Sequence, residues 1–197
     1  MQPIADDIQN IANVLVLVWV VSELIKIRKG RRIKGDVRDA GTFSVIWWLV
    51  AAAVVLGNAI NAWIRLHLPP SSPVFLPLWA SAAGLFALAG GILFRWYAIS
   101  YLGRYFTVRV TIQEQQTLIQ TGPYRWLRHP SYTGALAALA GVGLTSGSWP
   151  VFFVLTCLPL VGLLRRIRVE ETVLSAHFGS AYESYRSRTW RLIPWVY

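Results

Sequence analysis

Stretches of about twenty mostly apolar residues recur along this chain, and they constrain its fold more than any other feature of the sequence. A helix needs roughly 20 such residues to cross a bilayer core of about 30 Å. Of the 197 residues, 55% are hydrophobic and only 14% are charged, although the net charge is +10. Soluble basic proteins do not have this composition, so the sequence indicates an integral membrane protein.

Five apolar segments predict an all-α integral membrane protein with about five transmembrane helices. The last two segments are short, and the turn-like "TSGSWP" between them predicts a helical hairpin. We divide the chain into an N-terminal three-span membrane region, 1–101, which contains a basic loop at 26–40, and a C-terminal core, 102–197. The predicted spans are 11–27, 42–64, 74–101, 132–145 and 149–164.

The positions of the basic residues predict the orientation of the helices. In a five-span topology, 17 of the 19 lysines and arginines fall on one side, and only Arg65 and Arg95 do not. The positive-inside rule then puts the N-terminus outside and the C-terminus in the cytoplasm. Because the charges flank apolar spans, we expect membrane lipid headgroups and not nucleic acid as their partner.

Many of the polar and ionisable residues outside the apolar spans lie in two regions, 103–130 and 165–197. In the first, "TVRVTI" alternates with β-branched residues and is followed by "QEQQ" and "TLIQTG", which predicts a short hairpin at the membrane surface. The second has helical spacing and predicts a C-terminal amphipathic helix. Arg166 and Glu170 lie four residues apart on one face of that helix, so both side chains point towards the same place.

The segment "TGPYRWLRHPSYTG" lies between the apolar runs and concentrates polar groups. Pro130 disfavours helical geometry at His129 and can itself begin a helix, whose free amides favour a polar or anionic group. Arg128 adds a planar cation, and Tyr124 and Tyr132 add aromatic faces, which attract cations such as a sulfonium. The alternative is membrane anchoring, because tyrosine, tryptophan and arginine also collect at interfaces. For Arg166 and Glu170, the alternative is a solvated helix face with a weak ion pair.

These motifs, in their order along the chain, resemble those of a known family. "GPYRWLRHPSYTG", a hydrophobic hairpin and then "RIRVEETVLSAHFGSAYESYRSRTWRLIP" resemble the isoprenylcysteine carboxyl methyltransferase family of integral membrane enzymes. The resemblance covers roughly residues 102–197. It implies a small cytoplasmic cofactor-binding region and transfer of a methyl group from S-adenosylmethionine to the carboxylate of an isoprenylated cysteine or a similar lipophilic carboxylate.

The resemblance also implies roles for individual residues. Arg166, Glu170 and Arg128 would be catalytic, and Arg166, together with Arg188 and Arg191, would bind the substrate carboxylate. The residues implied to bind the cofactor are Gln116, Thr117, Leu118, Ile119, Tyr124, His129, Pro130, Ser131, Tyr132 and Glu170.

The chemistry of carboxyl methylation agrees with these roles. A carboxylate is ionised near neutral pH, so the reaction needs alignment and partial desolvation more than it needs a general base. An arginine such as Arg166 can orient the carboxylate. His129 is therefore expected to bind the cofactor, with a role as general base as the alternative.

Three other functions remain open at this point. A phospholipid N-methyltransferase would share the membrane setting, the cofactor and a related C-terminal motif, whereas a sterol or polyprenyl reductase would bind NADPH. A non-enzymatic membrane scaffold is the third. Three scattered histidines and a single cysteine give no ligand cluster, so we expect no metal.

Overall fold

The computed structural model describes residues 2–30, 36–37, 39–112 and 116–197, and the fold over these residues is almost entirely helical. The predicted all-α architecture is confirmed, because each of the five apolar segments is a helix. A sixth, short helix follows them. The helices are α1 (Gln2–Gly30), α2 (Thr42–His67), α3 (Leu78–Leu102), α4 (Pro130–Thr145), α5 (Trp149–Phe178) and α6 (Ser180–Arg186).

Four of these helices are long and apolar enough to cross a membrane: α1, α2, α3 and α5. The fourth predicted span, α4, has 16 residues. At 1.5 Å per residue it is only about 24 Å long, less than the thickness of a bilayer core. It lies between longer helices.

α3 and α4 pack with almost no space between their backbones, because glycines face each other across the contact. A Cβ atom added to Gly91 on α3 would lie 2.5 Å from the backbone nitrogen of Ala138, and one added to Gly134 on α4 would lie 2.7 Å from that of Arg95. Small residues of this kind permit close packing where the surrounding lipid offers no hydrophobic driving force. The same side of α3 buries Leu88 against α1 and α4.

α2 packs separately against α5, around a cluster formed by Ala53, Val151 and Leu155. The loop after α2 and the turn between α4 and α5 meet at one end of the bundle, where the amide of Leu76 donates to the carbonyl of Gly147 at 2.8 Å. Arg65 adds a hydrogen bond to the carbonyl of Ser146 at 3.1 Å. The two polar regions therefore lie at the opposite end of the bundle.

An ion pair joins three helices near that polar end. Arg95 on α3 donates to both carboxylate oxygens of Glu23 on α1, at 2.9 and 2.8 Å. The same guanidinium donates to the carbonyl of Ser131, in the first turn of α4, at 3.0 Å. The single intramembrane arginine noted in the sequence thus ties α1 and α3 to the segment that begins α4.

Two details differ from the sequence prediction. The fifth span does not end near residue 164; it continues without a break into the predicted amphipathic helix, so that α5 has 30 residues and ends at Phe178. The next residue, Gly179, has a φ of +55°. No surface hairpin forms within the described part of 107–121. Instead β2 (Thr111–Ile112) pairs antiparallel with β1 (Asp36–Val37), from the basic loop. Most of the basic loop beyond α1 lies outside the described residues.

The C-terminal tail returns along the segment that precedes α4. The amide of Arg128 donates to the carbonyl of Trp190 at 2.8 Å, and that of His129 donates to Arg191 at 3.1 Å. The tail therefore holds the "RHP" segment in place from outside the bundle.

Candidate active site

A pocket opens at this end of the bundle, between the start of α4, the last turns of α5, α6 and residues from 102–110 and 116–119. Its lining is about equally polar and apolar, and the space inside it, including solvent at its open side, is about 890 Å³. We call it the polar pocket. Nine of the ten residues predicted to bind the cofactor line it, and so do the three predicted catalytic residues. The tenth, Pro130, is fully buried and begins α4 beside the pocket. The residues predicted from the sequence to bind the cofactor or act in catalysis therefore lie around one pocket, although the role of each residue stays a prediction.

Arg166 and Glu170 meet in this pocket through a third residue. The Nε of Arg166 donates to the hydroxyl oxygen of Tyr132 at 2.6 Å, and that hydroxyl donates to Oε2 of Glu170 at 2.7 Å. The expectation that both α5 side chains point to the same place is correct, but Tyr132 lies between them. The arrangement is a partly buried hydrogen-bonded chain and not the direct, solvated ion pair considered above.

Arg166 also pairs with an acidic residue that the sequence analysis missed. Its Nη1 lies 3.1 Å from Oδ1 of Asp39, and its Nη2 donates to the carbonyl of Val108 at 2.7 Å. The side chains of Arg166 and Asp39 are 5% and 9% exposed, so both charges are largely removed from water. The guanidinium is held on three sides.

His129 lies at the centre of the pocket wall and is almost fully buried. Its ring stacks on that of Tyr132, with 5.5 Å between centroids and 5° between planes. Its Nε2 lies 3.5 Å from Glu171 but has no hydrogen-bond partner among the described residues. A buried nitrogen without a partner is costly, so a ligand that hydrogen-bonds to it would be favoured.

Arg128 and Arg191 are both engaged by Glu171. Arg128 donates to one carboxylate oxygen at 2.8 Å and Arg191 to the other at 2.9 Å. Arg128 also donates to the carbonyl of Arg186 at 3.0 Å and to that of Thr189. These bonds join α5 to the tail, so both arginines have structural partners that the sequence did not reveal.

Two tyrosines of α6 close the pocket. Tyr185 donates to the carbonyl of Tyr124 at 2.8 Å. Tyr182 is 1% exposed, and its hydroxyl has no partner among the described residues. Burial, with the nearby Glu171 carboxylate adding to it, raises the pKa of the Tyr182 hydroxyl well above its usual value, so that group is a neutral donor.

A second, mostly apolar pocket lies among the long helices, and the space inside it, including its open side, is about 970 Å³. Its walls come from α1, α2, α4, α5 and residues 106–108, and they include Trp19, Trp47, Leu139 and Leu163. The paired Glu23 and Arg95 also line it. Four residues line both pockets, so the two cavities adjoin at them. They are Phe106, Thr107, Tyr132 and Arg166.

Two of the predicted substrate-binding arginines do not line either pocket. Arg188 is exposed and donates to the carbonyl of Ser184 at 3.0 Å. Arg191 is bound by Glu171 and stacks on Tyr197. Of the three, the structure brings only Arg166 into the pocket. Among the described residues, no three or more His, Cys, Asp or Glu side chains cluster as metal ligands would.

The fold and the pockets define a class of protein: a helical membrane protein with a polar ligand pocket next to an apolar one. Comparison with known proteins narrows this class. Residues 83–176 match the model of the isoprenylcysteine carboxyl methyltransferase (ICMT) family. The resemblance that the sequence predicted is thereby confirmed. The matched residues begin within α3, further towards the N-terminus than expected, and end at residue 176, before the expected end at 197.

Individual relatives agree with the family match. The chain is 26% identical over 156 residues to protein-S-isoprenylcysteine O-methyltransferase of Dictyostelium discoideum, covering 73% of this chain and 60% of that one. It is 33% identical over 120 residues to the probable enzyme of that name from Oryza sativa subsp. indica, covering 59% and 62%. The chain thus spans about three fifths of the length of these two relatives.

A solved structure of the eukaryotic intramembrane Ras methyltransferase ICMT has a similar fold. The TM-score is 0.65 at 25% sequence identity, and the match covers 74% of this chain and 52% of that one. The helical membrane architecture is therefore shared with an intramembrane protein.

Proposed function

We propose that this chain is an integral membrane carboxyl O-methyltransferase. The methyl donor would be S-adenosylmethionine, and the acceptor the carboxylate of an isoprenylated cysteine or a similar lipophilic acid. The relatives named above support the reaction class, and the residues of the two pockets support the assignment of donor and acceptor.

One observation carries the proposal: Arg166 and Tyr132 line both the polar and the apolar pocket. A lipophilic acid has an apolar chain that fits the second pocket, and its carboxylate would then reach the guanidinium at the junction. Guanidinium groups bind carboxylates through paired N–H donors. A ligand in the polar pocket would meet the same carboxylate from the other side.

The polar pocket has the groups that a nucleoside-bearing sulfonium needs. The backbone of residues 116–119 offers donors and acceptors, and the aromatic faces of Tyr132 and Tyr124 favour a cation. His129 and Tyr182 both line this pocket. His129 Nε2 and the Tyr182 hydroxyl are buried and lack hydrogen-bond partners among the described residues, so a ligand would gain a hydrogen bond from either group if the pocket wall shifts to expose it. Glu170 has one carboxylate oxygen bound by Tyr132 and is half-buried at the pocket wall.

When bound, S-adenosylmethionine supplies an electrophilic methyl group on a positively charged sulfur. A carboxylate oxygen of the acceptor, oriented by Arg166, would form the new O–C bond with a lone pair, and the electron pair of the C–S bond would remain on sulfur. The carboxylate and the sulfonium both become neutral, and no proton has to move. The chain's contribution is then to orient the carboxylate with Arg166, to fix that guanidinium with Tyr132 and Val108 O, and to exclude water.

Ligand binding tests the donor assignment. Calorimetric titration of the purified protein with S-adenosylhomocysteine, the demethylated product, should show one site, and Glu170→Ala should weaken it about tenfold or more, since a charged hydrogen-bond partner would be lost. NADPH is the control ligand. Binding of NADPH in place of S-adenosylhomocysteine would contradict the proposal and favour a reductase.

Acceptor specificity distinguishes carboxyl methylation from amine methylation. With labelled donor, the protein should methylate an S-prenylated N-acylcysteine and not a phosphatidylethanolamine in the same vesicles. Label found only in the phospholipid would make the chain an N-methyltransferase.

We also propose that the N-terminus lies outside and the polar end of the bundle in the cytoplasm. The charge distribution supports this orientation, since 17 of the 19 arginines and lysines fall on this side in the predicted five-span topology. Protease should cleave a tag at the C-terminus only in inverted membrane vesicles. Cleavage in right-side-out vesicles would contradict the orientation.

A further inference from the structure

Asp39 is a buried acid in contact with the proposed carboxylate-binding arginine. It precedes α2, and its carboxylate accepts four hydrogen bonds. Oδ1 accepts from Nη1 of Arg166 at 3.1 Å, from the Thr42 hydroxyl at 3.0 Å and from the Val110 amide at 3.4 Å. Oδ2 accepts from the amide of Phe43 at 3.0 Å, in the first turn of α2.

Within the part of the chain that the structure describes, the three hydrogen bonds of Arg166 leave two of its donors unused, and the side chain lines both pockets. A guanidinium has five N–H donors, and among the described residues three of them are used, by Tyr132, Asp39 and Val108. One N–H therefore remains on each terminal nitrogen. A second carboxylate that binds there shares the cation with Asp39.

Sharing the cation changes the energetics of the reaction. The acceptor carboxylate carries a full charge when it binds and loses it as the ester forms, so an unopposed arginine would stabilise the bound acid more than the transition state. Interactions that favour the bound state over the transition state slow the chemical step. A fixed negative charge next to Arg166 reduces that excess stabilisation.

We infer that Asp39 is a positioning residue that acts through Arg166: it fixes the guanidinium and limits how tightly the acceptor carboxylate binds. This inference rests on the proposed function. The competing explanation is purely structural, since Asp39 also accepts hydrogen bonds from the Thr42 hydroxyl and the Phe43 amide, in the first turn of α2.

Asp39→Asn separates the two explanations, because it removes the charge and keeps the size and one acceptor oxygen. Thr42→Val is the matched control: it deletes the hydroxyl bond to Asp39 and leaves the charge in place. The parent protein is assayed first with S-adenosylmethionine and an S-prenylated N-acylcysteine, and each variant is then compared under the same conditions.

Asp39→Asn should lower KM for the acid roughly fivefold, because a like charge a few ångströms from the bound carboxylate has been removed. kcat should fall by a smaller factor, about twofold to threefold, because the transition state retains part of the carboxylate charge. In calorimetry with S-adenosylhomocysteine present, the acid should bind more tightly to the variant, and its neutral methyl ester should bind equally to both proteins. Thr42→Val should leave KM and kcat unchanged.

An unchanged or higher KM in a folded Asp39→Asn protein would overturn the inference, and so would an equal change in ester affinity. The proposed function fails in a different way, because the parent protein itself would then give no methyl ester. The inference about Asp39 would then be wrong as well.

Discussion

Gly91 provides the sharpest test of the packing that holds the site together. In Gly91→Ala, the new Cβ would lie 2.5 Å from the backbone nitrogen of Ala138 and 2.7 Å from the carbonyl oxygen of Gly134. Normal contact is about 3.5 Å or more, so α3 and α4 would have to separate by about 1 Å. Overpacking of this kind typically costs about 1–3 kcal/mol.

Gly90 is a matched control on the same helix turn, because a Cβ there would meet no atom within 4 Å. Gly90→Ala should be neutral or stabilising by up to about 1 kcal/mol through helix propensity. A cost of about 2 kcal/mol in Gly91→Ala corresponds to a midpoint lower by roughly 4–8 °C in a chain of this length.

The assay is thermal unfolding of both variants in the same detergent, with S-adenosylhomocysteine titrated into each. Gly91→Ala should also weaken ligand binding, because a shift of α4 displaces Ser131 and Tyr132, which lie in its first turn and line the polar pocket. Equal midpoints for the two variants would refute the close packing of α3 and α4.

Three further substitutions test single contacts. Tyr132→Phe should lower turnover about tenfold to a hundredfold, because it removes the hydroxyl that aligns Arg166, while the protein stays folded by circular dichroism; normal turnover would show that this bond is dispensable. Glu171→Gln should weaken the attachment of the C-terminal tail, lowering the unfolding free energy by about 2 kcal/mol and speeding tail cleavage in limited proteolysis. Unchanged proteolysis would contradict that role. Tyr182→Phe removes a buried hydroxyl that has no partner among the described residues, so it should raise the thermal midpoint of the ligand-free protein and weaken S-adenosylhomocysteine about fivefold in calorimetry; equal affinity would mean that the ligand does not reach Tyr182.

Much of the membrane architecture was predictable, because apolar length is a local property of a sequence. Each of the five apolar segments is a helix, and α2 begins at the predicted residue, Thr42. The end of the fifth segment was not predictable from hydropathy, since charged residues stop an apolar run without stopping a helix. The helix is interrupted at Gly179, where the backbone adopts a positive φ.

The gathering of the motif residues around one pocket was also predictable, through the resemblance and through the helical spacing of Arg166 and Glu170. The hydrogen-bond and ion-pair partners of those residues were not predictable. Asp39 lies 127 residues before Arg166 in the chain, so no spacing rule relates them. The local feature that could have drawn attention to Asp39 is that it is an acidic residue in a mostly basic loop.

The role of Arg128 shows a second limit of sequence analysis. A cation beside His129 fits a ligand site, and the side chain does line the polar pocket. Its hydrogen bonds nevertheless go to Glu171 and to carbonyl groups of the C-terminal tail. These contacts depend on the return of the tail along the "RHP" segment, and that path is a tertiary feature.

The most direct test of the central claim is a methyl-transfer assay on the reconstituted protein. Labelled S-adenosylmethionine and an S-prenylated N-acylcysteine are added to the parent, to Arg166→Ala and to Arg168→Ala, an exposed arginine on the same helix. The parent and Arg168→Ala should form a base-labile methyl ester, and a folded Arg166→Ala protein should lose about 100-fold or more of that activity. No ester from the parent, or equal activity in all three proteins, would contradict the account.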